Sequence, residues 1–201
     1  MNYLNREQRR TMILDAAKRL ALQDGLNGLT VRKIATQAQV SIGQVHHHFE
    51  SSSHLKAEVF TALMNQLDEV EKRITTHNSF ERLLLLLGVE NIEQTQPYLR
   101  LWNEAEILIN QDQEIQKAYN IAMEQWHVTL VTTIENGLTQ QEFEISTPSS
   151  VQDIAWRLIA FVCGLEGIYQ LGLKGLDQHS FKHHVKTVLE IELGTLNKSA
   201  Y

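Results

Sequence analysis

The 201 residues predict an all-α protein. Three observations carry that expectation. Only two prolines and ten glycines interrupt the chain, so long stretches lack the residues that punctuate turns. Apolar residues make up 43% of the sequence, and they recur at three- and four-residue spacing rather than in strict alternation. Between Thr30 and Phe49, TVRKIATQAQVSIGQVHHHF, two short periodic segments meet at a tight turn. The expected organisation is an N-terminal three-helix domain with a helix-turn-helix over residues 1–54. A C-terminal helical domain follows over 55–201.

Taken in order, Asn5 to Asp24 forms the first helix, with Ile13, Ala16, Ala17 and Leu20 as its apolar stripe and Gly25 placed to end it. Thr30 caps the second helix, because its hydroxyl can accept from a free N–H two or three residues on. Val31, Ile34, Ala35 and Ala38 give that helix one apolar face. Gln39 and Val40 make the turn, and Ser41 caps the third helix. There Val45 and Phe49 point inward, while Gln44, His46 and His47 are left to point out. In such an arrangement the second helix enters the major groove with its early residues at the base edges. Ser51, Ser52 and Ser53 supply caps for a long fourth helix carrying Leu55, Val59, Leu63, Leu67, Val70 and Ile74 on one face.

After a break at Thr75 to Ser79, a helix is expected over Phe80 to Thr95, with Leu83 to Leu87 apolar all round and therefore buried on several sides. Pro97 favours a new helix start, followed by a stripe of Tyr98, Leu101, Trp102, Ala105, Leu108 and Ile109. The next helix is expected from Asp112 to Gly137, then a loop from Leu138 to Ser150. A long apolar helix runs from Val151 to Lys174 and a last one from Ser180 to Leu196.

The segment from Ile13 to Phe60 resembles the N-terminal DNA-binding domain of the tetracycline-repressor (TetR) family. The matches are the I-L-D-A-A opening, the G-x-x-x-L-T-V-R-x-I-A core and the V-S-x-G-x-V-x-x-x-F recognition helix. The resemblance implies a homodimeric regulator with an N-terminal three-helix DNA-binding domain over residues 1–54 and a C-terminal helical ligand-binding and dimerisation domain over 55–201, with a small-molecule site in the C-terminal bundle. It is consistent with Thr30, Arg32, Ser41, Gly43, Gln44, His46, His47 and His48 as the DNA-contacting set. Gln44 is the base reader, since an amide can pair bidentately with adenine. Gly43 lets the backbone come close to the duplex, and Thr30, Arg32, Ser41 and His48 suit phosphate contacts. Three positions depart from the family pattern. Gln39 stands where Gly is common, which costs about 1–2 kcal/mol if the backbone there is left-handed. Ile42 and Ser52 replace two lysines.

Charge supports the division of labour. The net charge is −6, but residues 1–60 hold eight Lys and Arg against five Asp and Glu, a balance of +3, and the remainder carries −9. A basic head on an acidic body presents one face to phosphate. Arg6, Arg9 and Arg10 at the start of the first helix are either backbone contacts or a solvated helix end. The single cysteine, Cys163, excludes an internal disulfide and is expected to be a buried thiol. The opening MNYLNREQRRTM is too polar for a signal peptide, and no apolar run reaches the roughly 20 residues of a membrane span. A cytoplasmic protein is expected, without membrane partner, cofactor or metal. His46, His47 and His48 point in different directions on a helix and cannot share one ion; His179 and His183 have zinc spacing but no evident third ligand.

In the C-terminal part, Tyr98, Trp102, Glu106, Tyr119, Trp126, Phe161 and Tyr169 could surround a small ligand, an aromatic or cationic one included. They could equally be core. Gly164 and Gly167, with Val185 and Leu189, are the expected dimerisation residues, since glycine inside a helix suits close approach of another. Double-stranded operator DNA, a small-molecule inducer and a second copy of the chain are therefore the expected partners. Two rival readings remain: a ligand-independent dimeric DNA-binding regulator, and an all-α enzyme with an incidental helix-turn-helix. The chain carries no phosphate loop, nucleophile elbow or zinc signature.

Overall fold

A computed structural model describes residues 5–89, 92–145 and 148–194, and the described residues form nine helices: α1 (Arg6–Asp24), α2 (Val31–Gln37), α3 (Ile42–His48), α4 (Ser52–Arg73), α5 (Ser79–Leu86), α6 (Ile92–Leu108), α7 (Gln113–Thr139), α8 (Val151–Tyr169) and α9 (Gln178–Leu193). Local chemistry sets the first boundaries. Asn5 and Gln8 exchange side-chain and backbone hydrogen bonds in a capping box that starts α1. Gly25, at φ 77°, reverses the chain at its end. Thr30 accepts from Lys33 N–H at 3.3 Å to start α2. Gln39 takes φ 54° in the turn, the left-handed conformation that glycine would adopt more cheaply.

These helices fall into two compact units. The first comprises Met1–Val70 with Glu93–Met123, the second Glu71–Ile92 with Glu124–Tyr201. The division expected at residue 54 is therefore not where the chain separates. The physical reason is a shared core: Ile13, Ala17, Ile34, Val45, Phe49, Phe60 and Leu63 of α1–α4 belong to one apolar cluster with Leu101, Ala105, Ile115, Ala118, Tyr119 and Ala122. Each large side chain buried in this way stabilises by about 1.5–3 kcal/mol. Stripping α6 from the first four helices would expose an apolar seam. In the second unit, Leu83 to Leu87, Leu130, Ile134, Phe143, Ile154, Leu158, Phe181, Val185 and Leu189 are buried.

Four expected boundaries move. The helix expected over Phe80 to Thr95 is interrupted: α5 closes at Leu86, and Gly88 at φ 74° turns the chain. Gly88 N–H and Val89 N–H bond back to Leu85 and Leu84 carbonyls, a glycine-terminated helix end. Pro97 lies inside α6 rather than at its start; as the sixth residue it falls past the first turn and forgoes one backbone hydrogen bond of the ladder. The apolar helix expected to reach Lys174 stops at Tyr169, because Gly172 (φ 63°) and Gly175 (φ 96°) turn the chain into the next helix. That helix begins at Gln178, two residues before the expected Ser180, since Asp177 and Ser180 form its capping box. It ends at Leu193 on left-handed Gly194, so the expected terminus at Leu196 lies outside the described residues.

Candidate nucleic-acid interface

Of the seven residues of α3, only Val45 is buried. It enters the core at 1% exposure, and Phe49 closes the helix behind it at 3%. Ser41, Ile42, Gly43, His46 and His47 are exposed. A Cβ added at Gly43 would meet nothing nearer than the Ser41 hydroxyl at 3.9 Å, so this stretch of backbone is open to a close neighbour. Arg32 is exposed on α2 and Thr30 at its cap. The expected contact set thus lies on α2, α3 and the turn that joins them.

Two of its members differ from expectation. Gln44 does not simply point out: its carbonyl oxygen accepts from Ser41 N–H at 3.1 Å, while Ser41 Oγ accepts from Gln44 N–H at 3.2 Å. This capping box holds α3's first turn and leaves the amide NH2 as the end available to a base. His48 is half-buried rather than outward. Its Nδ1 is enclosed and has no hydrogen-bond partner among the described residues. Burial, then the neighbouring His47, Arg6, Arg9 and Arg10, hold the imidazole below its usual range. His47 meets it edge to face at 5.3 Å.

The three arginines at the start of α1 separate. Arg10 is committed within the chain: its two terminal nitrogens donate to the Glu58 carboxylate at 2.7 and 2.6 Å, and its guanidinium lies 4.8 Å from the Phe49 ring centroid. Such a fork-on-fork pair is geometrically specific. Arg6 is exposed and Arg9 half-buried. In the sequence Ile42 stands out only as a missing lysine. It is 45% exposed at the head of α3, an apolar tip of the kind that meets thymine methyl groups in the major groove.

The seven ligand candidates divide between the units. In the first, Trp102 and Tyr119 lie 4.7 Å apart and both pack on buried Phe60, at 6.1 and 6.3 Å. Tyr98 is half-buried against the same cluster. Glu106 is exposed, so its carboxylate does not join them. In the second unit, Trp126 donates its indole N–H to the Leu86 carbonyl at 3.0 Å. Tyr169 meets Phe181 edge to face at 5.6 Å, and Phe161 is half-buried.

The expected dimerisation residues also divide. Val185 and Leu189 are 1% and 0% exposed within one chain, so they serve its own core and not a partner. Gly164 and Gly167 are exposed with open space where a Cβ would stand. Trp156, Ile168, Leu171 and Leu173 are also 44–68% exposed, Trp156 with its ring stacked on His127 at 4.2 Å. Cys163 between them is half-buried, less enclosed than expected. Among the described residues, no group of three or more His, Cys, Asp or Glu could hold a metal ion, and no helix is long and apolar enough to cross a membrane.

A capped helix-turn-helix with a single inward anchor is the geometry of the helix-turn-helix class. Residues 13–62 match the family described as "Bacterial regulatory proteins, tetR family", and that quarter of the chain is what it shares with the family. It is 30% identical over 82 residues to the HTH-type transcriptional repressor KstR of Rhodococcus jostii (strain RHA1), covering 41% of this chain and 39% of KstR. The chain thus spans about two fifths of that relative's length. Among solved structures, a transcriptional regulator from Saccharomonospora viridis in complex with choline superposes with a TM-score of 0.76 at 22% identity, over 93% of this chain and 98% of the other. A TetR transcription regulator from Haloarcula marismortui ATCC 43049 gives 0.75 at 16%, over 93% and 99%. At those identities the fold is what is shared.

Proposed function

We propose that this protein is a cytoplasmic, homodimeric, ligand-responsive repressor of transcription that binds a palindromic operator. The observation that carries the reading is α3: seven residues, one inward anchor, and an outer surface of Ile42, Gly43, His46 and His47 with Gln44 at its edge. Arg32, Thr30, Ser41 and His48, joined by Arg6 and Arg9, are assigned to phosphates. Gln44 and Ile42 are assigned to base edges. Two heads related by a two-fold axis would read half-sites about one helical turn, roughly 34–36 Å, apart. The second copy is assigned to the exposed face of Trp156, Gly164, Gly167, Ile168 and Leu171, in place of Val185 and Leu189.

Release by a small molecule requires that the ligand bind the released form better than the DNA-bound form. Tyr98, Trp102 and Tyr119 are the proposed seat in the first unit, with Trp126, Phe161 and Tyr169 as candidates in the second. Aromatic faces suit a cation, and a structural neighbour is described in complex with choline, so choline is the first probe. Selection of duplexes from a random library tests the whole reading. Enrichment of a two-fold symmetric sequence, bound more weakly as salt rises, is expected. Equal recovery of all sequences would overturn it. Choline that raises the melting temperature and weakens operator binding would support the ligand half; choline without either effect removes it as effector.

A further inference from the structure

The geometry points to Arg100, Glu104 and Asp112 as positioning residues: a polar clasp by which α6 and the start of α7 set the attitude of the DNA-reading helices. This rests on the regulator reading above. All three lie in the first unit, with the head.

One jaw closes on the joint between α1 and α2. The last turn of α1 contains no basic residue to meet its free carbonyls. Arg100 supplies that cation from α6, its Nη2 donating to Leu22 O at 2.7 Å and to Ala21 O at 3.3 Å. One turn further along α6, Glu104 Oε2 accepts from Asn27 N–H at 3.2 Å. Its carboxylate occupies the space where a Cβ on Gly25 would stand, so Gly25 serves both the reversed backbone and this approach. Arg100 and Glu104 are themselves a loose pair at 3.9 Å. The bonds go to backbone atoms on both sides of the joint. They therefore hold the path of the chain itself, between the end of α1 and the cap of α2, and Lys33 adds a bond from α2 to Asp24 at 2.7 Å.

The other jaw closes on the start of α4, three residues after α3 is capped by Phe49. Asp112 Oδ1 caps α7 by accepting from Glu114 and Ile115 N–H at 3.0 and 3.2 Å. Burial opposes its ionisation, but those two amides, with the Ser53 hydroxyl and Lys56 nearby, outweigh it and hold the carboxyl below its usual range. Ser53 lies in the first turn of α4, so this carboxylate sits where the beginnings of α7 and α4 meet. His54 Nδ1 stands 3.9 Å from Glu114 beside it.

Between the jaws, Trp102 and Tyr119 pack on Phe60 of α4. The segment that carries the proposed ligand-binding rings is thus the segment that grips the head at both ends. A change in its seating would reach α3 through its two flanks, the α1–α2 joint and the first turn of α4, without needing a tilt of α4 as a whole.

Two measurements on the full-length protein test this: hydrogen exchange without DNA, and binding to selected duplexes whose half-sites are moved together or apart by a base pair. Glu104→Ala is expected to speed exchange of the amides at 22–29 by about tenfold. It should leave base preference within each half-site unchanged, while the best spacing loses about tenfold of its advantage. Glu104→Gln keeps an acceptor for Asn27 N–H and is expected to restore both. Asp112→Ala should show the same spacing loss, with faster exchange at the starts of α4 and α7. Exchange accelerated throughout α1–α4 with a lowered melting temperature would make these residues general packing and overturn the proposal. Local exchange unchanged in both alanine variants would overturn it too. A wild-type protein without preference for any duplex would sink the regulator reading and the positioning role together, and the exchange pattern separates that failure from absence of the clasp.

Discussion

α3 and α8 are both helices with one face in a core and one in solvent, yet what they expose is opposite. The seven residues of α3 bury Val45 and turn imidazoles, a glycine and one aliphatic tip outward. The nineteen of α8 bury Ile154, Ala155, Leu158, Ile159 and Val162; polar Gln152, Asp153 and Arg157 are exposed in its first half, and Gly164, Gly167 and Ile168 in its second, with Trp156 between the polar ones and Leu171 just beyond the end. Water solvates the first face well and the second poorly. The first suits a hydrated, charged polymer; the second suits another copy of itself. The two surfaces therefore predict different failures.

Breaking the α8 face should have the largest effect. Ile168→Asp with Leu171→Asp changes two residues that are 48% and 68% exposed, so each chain should fold normally. The dimer should dissociate at micromolar concentration, and operator affinity should fall by about a hundredfold or more, because two heads no longer act together. A variant that stays dimeric would place the interface elsewhere. Within the head the expected effect is smaller. Gln44→Ala should weaken binding by about 1–3 kcal/mol and relax preference at one base pair per half-site. Equal weakening on every sequence would show that Gln44 acts only through its cap on Ser41.

Smaller still is the turn. Gln39 holds φ 54°, and Gln39→Gly should raise stability by about 1 kcal/mol. No change in the unfolding midpoint would mean that the strain is relieved by contacts of the Gln39 side chain.

The smallest expected effect is a slope. Burial and the neighbouring His47, Arg6, Arg9 and Arg10 depress the His48 imidazole in the folded state. The unfolded chain then binds the proton more readily, so this contribution is complete above about pH 6.5 and declines as pH falls through that value. His48→Asn should make the loss of melting temperature between about pH 7.5 and 5.5 shallower. Parallel slopes for both proteins would remove His48 from the account.

These contrasts also explain which features are legible in the sequence. The head is specified locally: Asn5, Thr30 and Ser41 cap where their side chains reach, and Val45 and Phe49 are inward by spacing alone. Even the left-handed turn at Gln39 follows from position in the motif. Ends governed by glycine in apolar runs are less legible, because the Leu83–Leu87 run gives no sign that Gly88 stops it. Gln44 looks like a free amide in the sequence because its capping role competes with the reading role on the same side chain. The clasp leaves no trace there at all. Arg100 reaches Leu22 and Asp112 reaches Ser53 across long stretches of sequence, and no periodicity encodes such meetings. Val185 and Leu189 are apolar anchors of α9 by spacing, but spacing does not say whether an anchor meets its own chain or another.

The central claim is that the head, and not the acidic body, carries the DNA contacts. The direct measurement is the salt dependence of affinity for the selected duplex, compared between head and body variants. The logarithm of affinity should fall linearly with the logarithm of salt concentration. Arg6→Ala and Arg32→Ala should each flatten that line by about one unit for every phosphate the arginine neutralises, while Lys174→Ala and Lys186→Ala in the body leave it unchanged. A slope that responds to the body lysines and ignores the head arginines would contradict the account.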